Sequence, residues 1–174
     1  AKRHGKRAVL FLAKSAELSV YSRRAAELGA EIIQVPIGFL SVCEARAKRY
    51  AAESGGYLLP IGLDVPEALT GIRKWASTLD VVEPEEVWTV ASSGMLTRGL
   101  QAAWTVADFY AVQVGKELTQ RAVGRAEIIR CPLSFGTPAK QLPPFPSVSE
   151  YDAKAWQYIP KDGKRMRLFW NVGA

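Results

Sequence analysis

Short runs of β-branched and aliphatic residues alternate with stretches of helical periodicity along most of the chain, and this alternation leaves few folds open. Arg7 to Ala13 is a continuous apolar run of the kind buried on both faces of a sheet. Ser15 to Leu28 follows, with Leu18, Tyr21, Ala25 and Leu28 at helical spacing and Arg23, Arg24 and Glu27 opposite, and Gly29 stops it. Glu31 to Pro36 is a second β-rich run. Strands joined through a helix pair in parallel with a right-handed crossover, so this first unit already predicts an α/β class.

The pattern continues. Leu40, Cys43, Ala47, Tyr50 and Ala51 form one face of a helix that Gly55-Gly56 ends, and Tyr57 to Pro60 reads as a short third strand. Val65 to Leu79 is a helix with Pro66 in its first turn and Leu69, Ile72, Trp75 and Ala76 inward. Asp80 to Glu86 is an acidic connector, and Glu83, Glu85 and Glu86 read as solvated rather than as a catalytic carboxylate pair. Val87 to Ala91 is the next strand, and Leu96 to Trp104 the next helix, with Leu96, Gly99, Leu100 and Ala103 inward. Asp108 to Val114 and Glu127 to Cys131 are further strands, Ser149 to Tyr158 a short helix and Arg167 to Val172 a last strand. The expected architecture is a three-layer α/β sandwich with a mainly parallel sheet. It divides into a small βα lobe over 1–80 and a second α/β lobe over 81–174. Five prolines between Pro132 and Pro146 make that segment either a functional loop or a packed surface strap.

Composition removes several alternatives. With 48% hydrophobic and 23% charged residues, disorder and fibrous classes are excluded. The longest apolar runs fall far below the roughly 18 residues of a membrane span, and no signal peptide is visible, so a cytoplasmic protein without membrane contact is expected. Cys43 and Cys131, the only cysteines, have neither zinc-site spacing nor disulfide density and are expected reduced. His4 is the single histidine, which rules out a self-contained triad or a histidine-rich metal site. The net charge of +6 suits an anionic ligand or a weak attraction to nucleic acid, and solvated basic faces explain it as well.

The chemistry concentrates at Ser92-Ser93-Gly94-Met95-Leu96-Thr97. A buried strand, a turn of small hydroxyl residues and a helix start place several backbone N–H groups in one concavity, where a phosphate fits. Ser92, Ser93 and Thr97 offer hydroxyl donors, Gly94 permits close backbone approach, and Arg98 offers charge. The alternative is that Ser92-Ser93-Gly94 is only a tight strand-to-helix turn with an N-cap. There is no Walker lysine and no GxGxxG, which disfavours nucleoside triphosphates and dinucleotides.

The order of segments adds to this. Val9-Leu10-Phe11-Leu12, then Arg24 to Ile33 with Gly29 inside, then Gly55-Gly56-Tyr57-Leu58-Leu59-Pro60, then Val87 to Leu100 resembles the fold-type II pyridoxal-phosphate enzymes. These are the tryptophan synthase β group, with its aminocyclopropane-carboxylate deaminase and cysteine desulfhydrase branch. The resemblance covers roughly residues 5 to 115. It implies pyridoxal phosphate as cofactor, with its phosphate on the backbone amides of Ser92 to Thr97, and elimination, deamination or replacement on an amino acid. In that family the Schiff-base lysine and a following Asn precede the strand matching Arg7 to Ala13. Neither has a counterpart here, and Lys14 lies on the wrong side of that strand. Ala1 to Gly5 reads like the tail of a helix, so either an earlier βα element bearing the lysine precedes this stretch or the chain keeps the scaffold and has lost the cofactor.

Two further readings stand beside it. A phosphoribosyltransferase-like site also sets a small-residue loop under a phosphate, but it predicts an acidic pair where Thr89-Val90-Ala91 stands. A non-catalytic phosphate- or nucleic-acid-binding module, for instance in a base-modification pathway, would use Trp104, Trp156, Tyr158 and Trp170 with the basic residues Lys161 to Arg167. Lys161-Asp162-Gly163-Lys164 reads more simply as a hairpin-like turn, and Tyr151 to Trp156 as a packed terminal helix rather than a cover over a ligand. The expected partners are a small anionic or amino-acid ligand, nucleic acid as the lesser reading, and a second copy in a homodimer.

Overall fold

The computed structural model describes residues 1–36 and 38–172. Contacts divide the chain into two units, Ala1–Leu59 and Pro60–Ala174, each with its own sheet. The expected lobe boundary lay at the 80/81 connector, whereas the contacts divide at Leu59/Pro60 and place the helix of 66–76 in the second unit.

In the first unit, β1 (Val9–Ala13) and β2 (Glu31–Val35) pair in parallel with Val9 opposite Glu31. Between them runs α1 (Val20–Glu27), shorter than its periodicity suggests, because Ser19 accepts from the Ser22 amide and fixes the start there. Tyr21 and Leu28, expected inward, are exposed on this unit. The α1 C-terminus follows its sequence: Gly29 takes φ +91°, its amide reaching the Ala26 carbonyl. Helix α2 (Leu40–Ser54) runs back along β1, with Cys43 buried, and ends at Gly55 with φ +65°. Tyr57 to Pro60 is not a strand. A run that short between Gly55-Gly56 and Pro60 finds no ladder partner.

The second unit is a four-stranded, all-parallel sheet in the order β5-β4-β3-β6. Its strands are β3 (Glu86–Ala91), β4 (Asp108–Gln113), β5 (Glu127–Arg130) and β6 (Arg167–Trp170). Strand β3 is buried along its whole length, as expected for a central parallel strand, and its side chains alternate between two cores. Val87 and Ala91 join Phe109, Ala111, Leu100 and Val123 on the face covered by α3 (Pro66–Ala76), α4 (Met95–Gln101) and α5 (Gln120–Val123). Trp88 and Val90 join Val112, Ala155 and Ile159 on the other face, under α6 (Ala153–Trp156). This is the expected three-layer α/β sandwich.

Glu86 departs from the solvated connector expected of it. It opens β3 at 5% exposure, clasped by Arg167 at 2.7 Å, Arg165 at 3.0 Å and the Trp88 indole at 3.1 Å. A buried carboxylate needs such partners, and here they tie β6 to β3. Because β6 is parallel to β3, the turn at Asp162–Lys164 is not a hairpin.

Candidate functional site

Chain order and sheet order together decide where a ligand can sit. Strands β3, β4 and β5 follow one another to one side, whereas β6 returns to the other edge of β3. The order therefore reverses at β3/β6, and in open parallel sheets ligands occupy the crevice beyond the carboxyl ends of strands at such a point. Ser92 to Thr97 leaves β3 at that end.

Gly94, with φ +75°, is the N-cap of α4, and no side chain caps it. A Cβ at Gly94 would overlap the Ala122 carbonyl of α5, which explains the glycine. Opposite lies the turn at Gly62, φ +77°, where an added Cβ would come within 2.5 Å of Ser93 Cβ. Among the described residues, no amide N–H from Ser92 to Thr97 donates to a protein acceptor. The loop is thus held between two close backbone contacts while its own donors stay available, the condition an anion requires.

The side chains divide. Ser92 Oγ lies 3.1 Å from Tyr151 Oη, and Ser93 is half-buried beside Gly62. Thr97 is fully buried and its hydroxyl meets Thr89 Oγ1 at 2.8 Å, inside the core rather than toward the crevice. The Met95 and Leu96 side chains pack inward. Arg98 is ion-paired with Asp64.

Sequence reasoning reads Tyr151 to Trp156 as a packed helix and does not assign the Tyr151 hydroxyl to the loop. It lies 59 residues from Ser92, and only the return of the chain past the strap brings the two together. Burial raises its pKa above the ordinary tyrosine value, the Asp152 charge adds to this, and the hydrogen bond with Ser92 acts in the opposite direction. Asp152, fully buried next to it, accepts from the Val172 amide just past β6. Pro132 to Pro146 is a packed strap: buried Lys154 donates to the Ser134 and Phe135 carbonyls at 2.8 and 3.0 Å, and Asn171 donates to Pro146 O at 2.7 Å. The aromatic residues proposed for base stacking are engaged in packing. Trp170 stands between Trp75 and Trp104, and Trp156 lies against Phe145 and under the Lys161 amine.

No helix among the described residues is long and apolar enough to cross a membrane, and no cluster of three metal-ligating residues occurs among them. Cys43 and Cys131 are both free thiols.

No family model matches the chain. A curated relative, the glycyl-dTMP PLP-dependent decarboxylase of Pseudomonas phage M6, is 24% identical over 184 residues; these cover 88% of this chain and 66% of that protein, so the chain spans just under two thirds of its length. Among solved structures, an ACC deaminase homologue superposes with a TM-score of 0.79 at 17% identity, covering 99% of this chain and 67% of the other. Threonine deaminase isoform 2 from Solanum lycopersicum gives 0.55 at 12% identity over 65% of this chain and 32% of its own. The alternation of elements, the parallel sheets and these superpositions agree: the chain has the fold of the fold-type II pyridoxal-phosphate enzymes.

Proposed function

We propose that this chain carries the phosphate-binding part of a pyridoxal-phosphate-dependent enzyme acting at the α-carbon of an amino acid. The observation that carries the reading is the row of amides from Ser92 to Thr97 at the β3/β6 reversal, which among the described residues donate to no protein acceptor. Those amides and the Ser93 hydroxyl would hold the cofactor phosphate, and the helix start adds favourable potential. When bound, the cofactor withdraws electrons from the substrate α-carbon. Tyr151 Oη, protonated at neutral pH, stands beside the loop within hydrogen-bond distance of Ser92 Oγ, so the pair can donate to or orient a ligand there. Lys154 is not assigned to the cofactor, since two carbonyls occupy its amine. The phage relative's name adds loss of a carboxylate to elimination, deamination and replacement as reactions of this class, on an amino acid attached to a deoxynucleotide.

Thermal unfolding with pyridoxal phosphate, pyridoxal and inorganic phosphate tests this. Pyridoxal phosphate at a hundredfold excess over its Kd is expected to stabilise the chain by about 2.7 kcal/mol, with phosphate competing and pyridoxal without effect. Equal shifts from pyridoxal and its phosphate, or none from either, would overturn the reading. Gly94→Ala is expected to remove the response, because the added methyl overlaps Ala122 and displaces the loop.

A further inference from the structure

The amides of the 92–97 loop do nothing to hold its shape. Among the described residues none of them donates to protein, and α4 begins without a side-chain cap. The walls the loop rests on therefore fix its height at the crevice. One wall is the turn at Gly62, against Ser93, and the Asp64–Arg98 ion pair ties that turn to α4. The other is α5. Its Ala122 carbonyl oxygen would lie 2.0 Å from a Cβ at Gly94, and Val123 Cγ1 would lie 3.2 Å from it.

A wall is only as fixed as its fastenings. Helix α5 is a single turn of four residues, with no side-chain cap at Thr119. One turn does not stand alone, because fixing its dihedrals costs more than one hydrogen bond offsets. What holds it beside α4 is Gln101, the last residue of α4. Gln101 Nε2 donates to the Val123 carbonyl at 2.8 Å, and its Oε1 accepts from the Arg125 amide at 3.1 Å. Both carboxamide atoms thus grip the turn that ends α5. Gly124, between those two residues, has φ +65°, and a Cβ there would come within 2.3 Å of Gln101 Oε1. The glycine clears the space that the carboxamide occupies. Arg125 fastens the same turn from its other end, donating to the Trp104 carbonyl at 2.6 Å and to that of Ala107. Helix α4 therefore starts against the wall that α5 forms and ends by anchoring it.

We propose that Gln101 is a positioning residue for the phosphate loop. Its grip on the Val123–Arg125 turn keeps the Ala122 carbonyl against Gly94, and that contact holds the 92–97 amides in the orientation they present to the crevice. The ligand side of this proposal rests on the functional reading above, whereas the mechanical side rests on the contacts alone. Gln101 acts from the far end of α4, so its loss weakens every phosphate-bearing ligand of the loop by the same factor.

Gln101→Met keeps the length of the side chain and removes both bonds. A double-mutant cycle with Gly94→Ala, followed by urea unfolding of the full chain, tests the mechanical side without any ligand. Once the grip on α5 is gone, the methyl added at position 94 has room. The double variant is accordingly expected to unfold at a higher urea midpoint than the summed shifts of the two single variants give. Additive shifts would overturn the proposal. Titration calorimetry of the parent and Gln101→Met with pyridoxal phosphate and with inorganic phosphate tests the ligand side. Both affinities are expected to fall by about three- to tenfold, the worth of one hydrogen bond, with their ratio unchanged. An undiminished affinity for inorganic phosphate, or a loss confined to pyridoxal phosphate, would overturn it as well. Binding of neither ligand to the parent sinks the functional reading, while the cycle still decides whether Gln101 places the loop. Gln101→Glu keeps the Arg125 bond and turns a carboxylate on the Val123 carbonyl. It is expected to move both measurements in the same direction, which keeps the test decisive if Gln101→Met folds poorly.

Discussion

Thr97 illustrates how a motif can list a residue without saying which of its atoms packing leaves available. Ser92, Ser93 and Thr97 are equivalent hydroxyls in the sequence, and nothing local says which way each points. Packing decides: Thr97 is fully buried, and Thr89 Oγ1, itself 3.4 Å from the Tyr110 carbonyl, takes its hydrogen bond. Thr97→Val is therefore expected to cost about 1 kcal/mol in urea unfolding, the net worth of one buried hydrogen bond, and to leave the pyridoxal-phosphate shift unchanged. A lost shift at undiminished stability would mean that the hydroxyl, not the amide, meets the ligand. Gly94 was legible for the opposite reason. Its requirement is a backbone conformation and a close approach, both of which the residue type itself announces. Tyr151 was not legible, because its role arises from a partner 59 residues away.

At the scale of elements, the strands of the second unit were readable because a central parallel strand must be apolar on both faces, and Val87 to Ala91 is. Helix α1 begins later than its periodicity predicts, since Ser15 to Ser19 keeps helical spacing while the Ser19 cap sets the start. The strap keeps two readings in the sequence because proline content records only that the segment is irregular; what it packs on is recorded in Lys154. That amine, buried in α6, bridges two strap carbonyls and lies 6.0 Å from the Phe135 ring. Lys154→Met keeps the aliphatic stem and removes the bridge, and is expected to cost about 1.5–3 kcal/mol, the range for hydrogen bonds to a charged group. Limited proteolysis is expected to cut within 132–146 sooner than in the parent. An unchanged cleavage pattern would show that the prolines alone hold the strap.

For the whole molecule, the parallel α/β class follows from segment alternation, but the sheet order does not. That β6 returns beside β3 depends on contacts remote in sequence, such as Glu86 with Arg165 and Arg167, and the crevice exists only because of that return. The face of the sheet under α6 bears a titrating group that reports on the same packing. Tyr158 packs against the core of Trp88, Val112 and Ile159. Burial, followed by its interaction with Cys131, pushes its pKa from 10.0 up to about 12. A tyrosine whose folded pKa is raised stabilises the fold fully below its unfolded pKa. Above pH 10 the unfolded chain loses this proton while the folded chain keeps it, so the contribution declines until the folded group also ionises near about 12. Tyr158→Phe removes the titration and keeps the ring. The fall in stability between pH 10 and about 12 is accordingly expected to be shallower in the variant than in the parent, with the difference between the two curves flat below pH 10. Parallel curves across that interval, measured by urea unfolding under reducing conditions, would mean that the phenol is solvated and that α6 does not seal this face of the sheet.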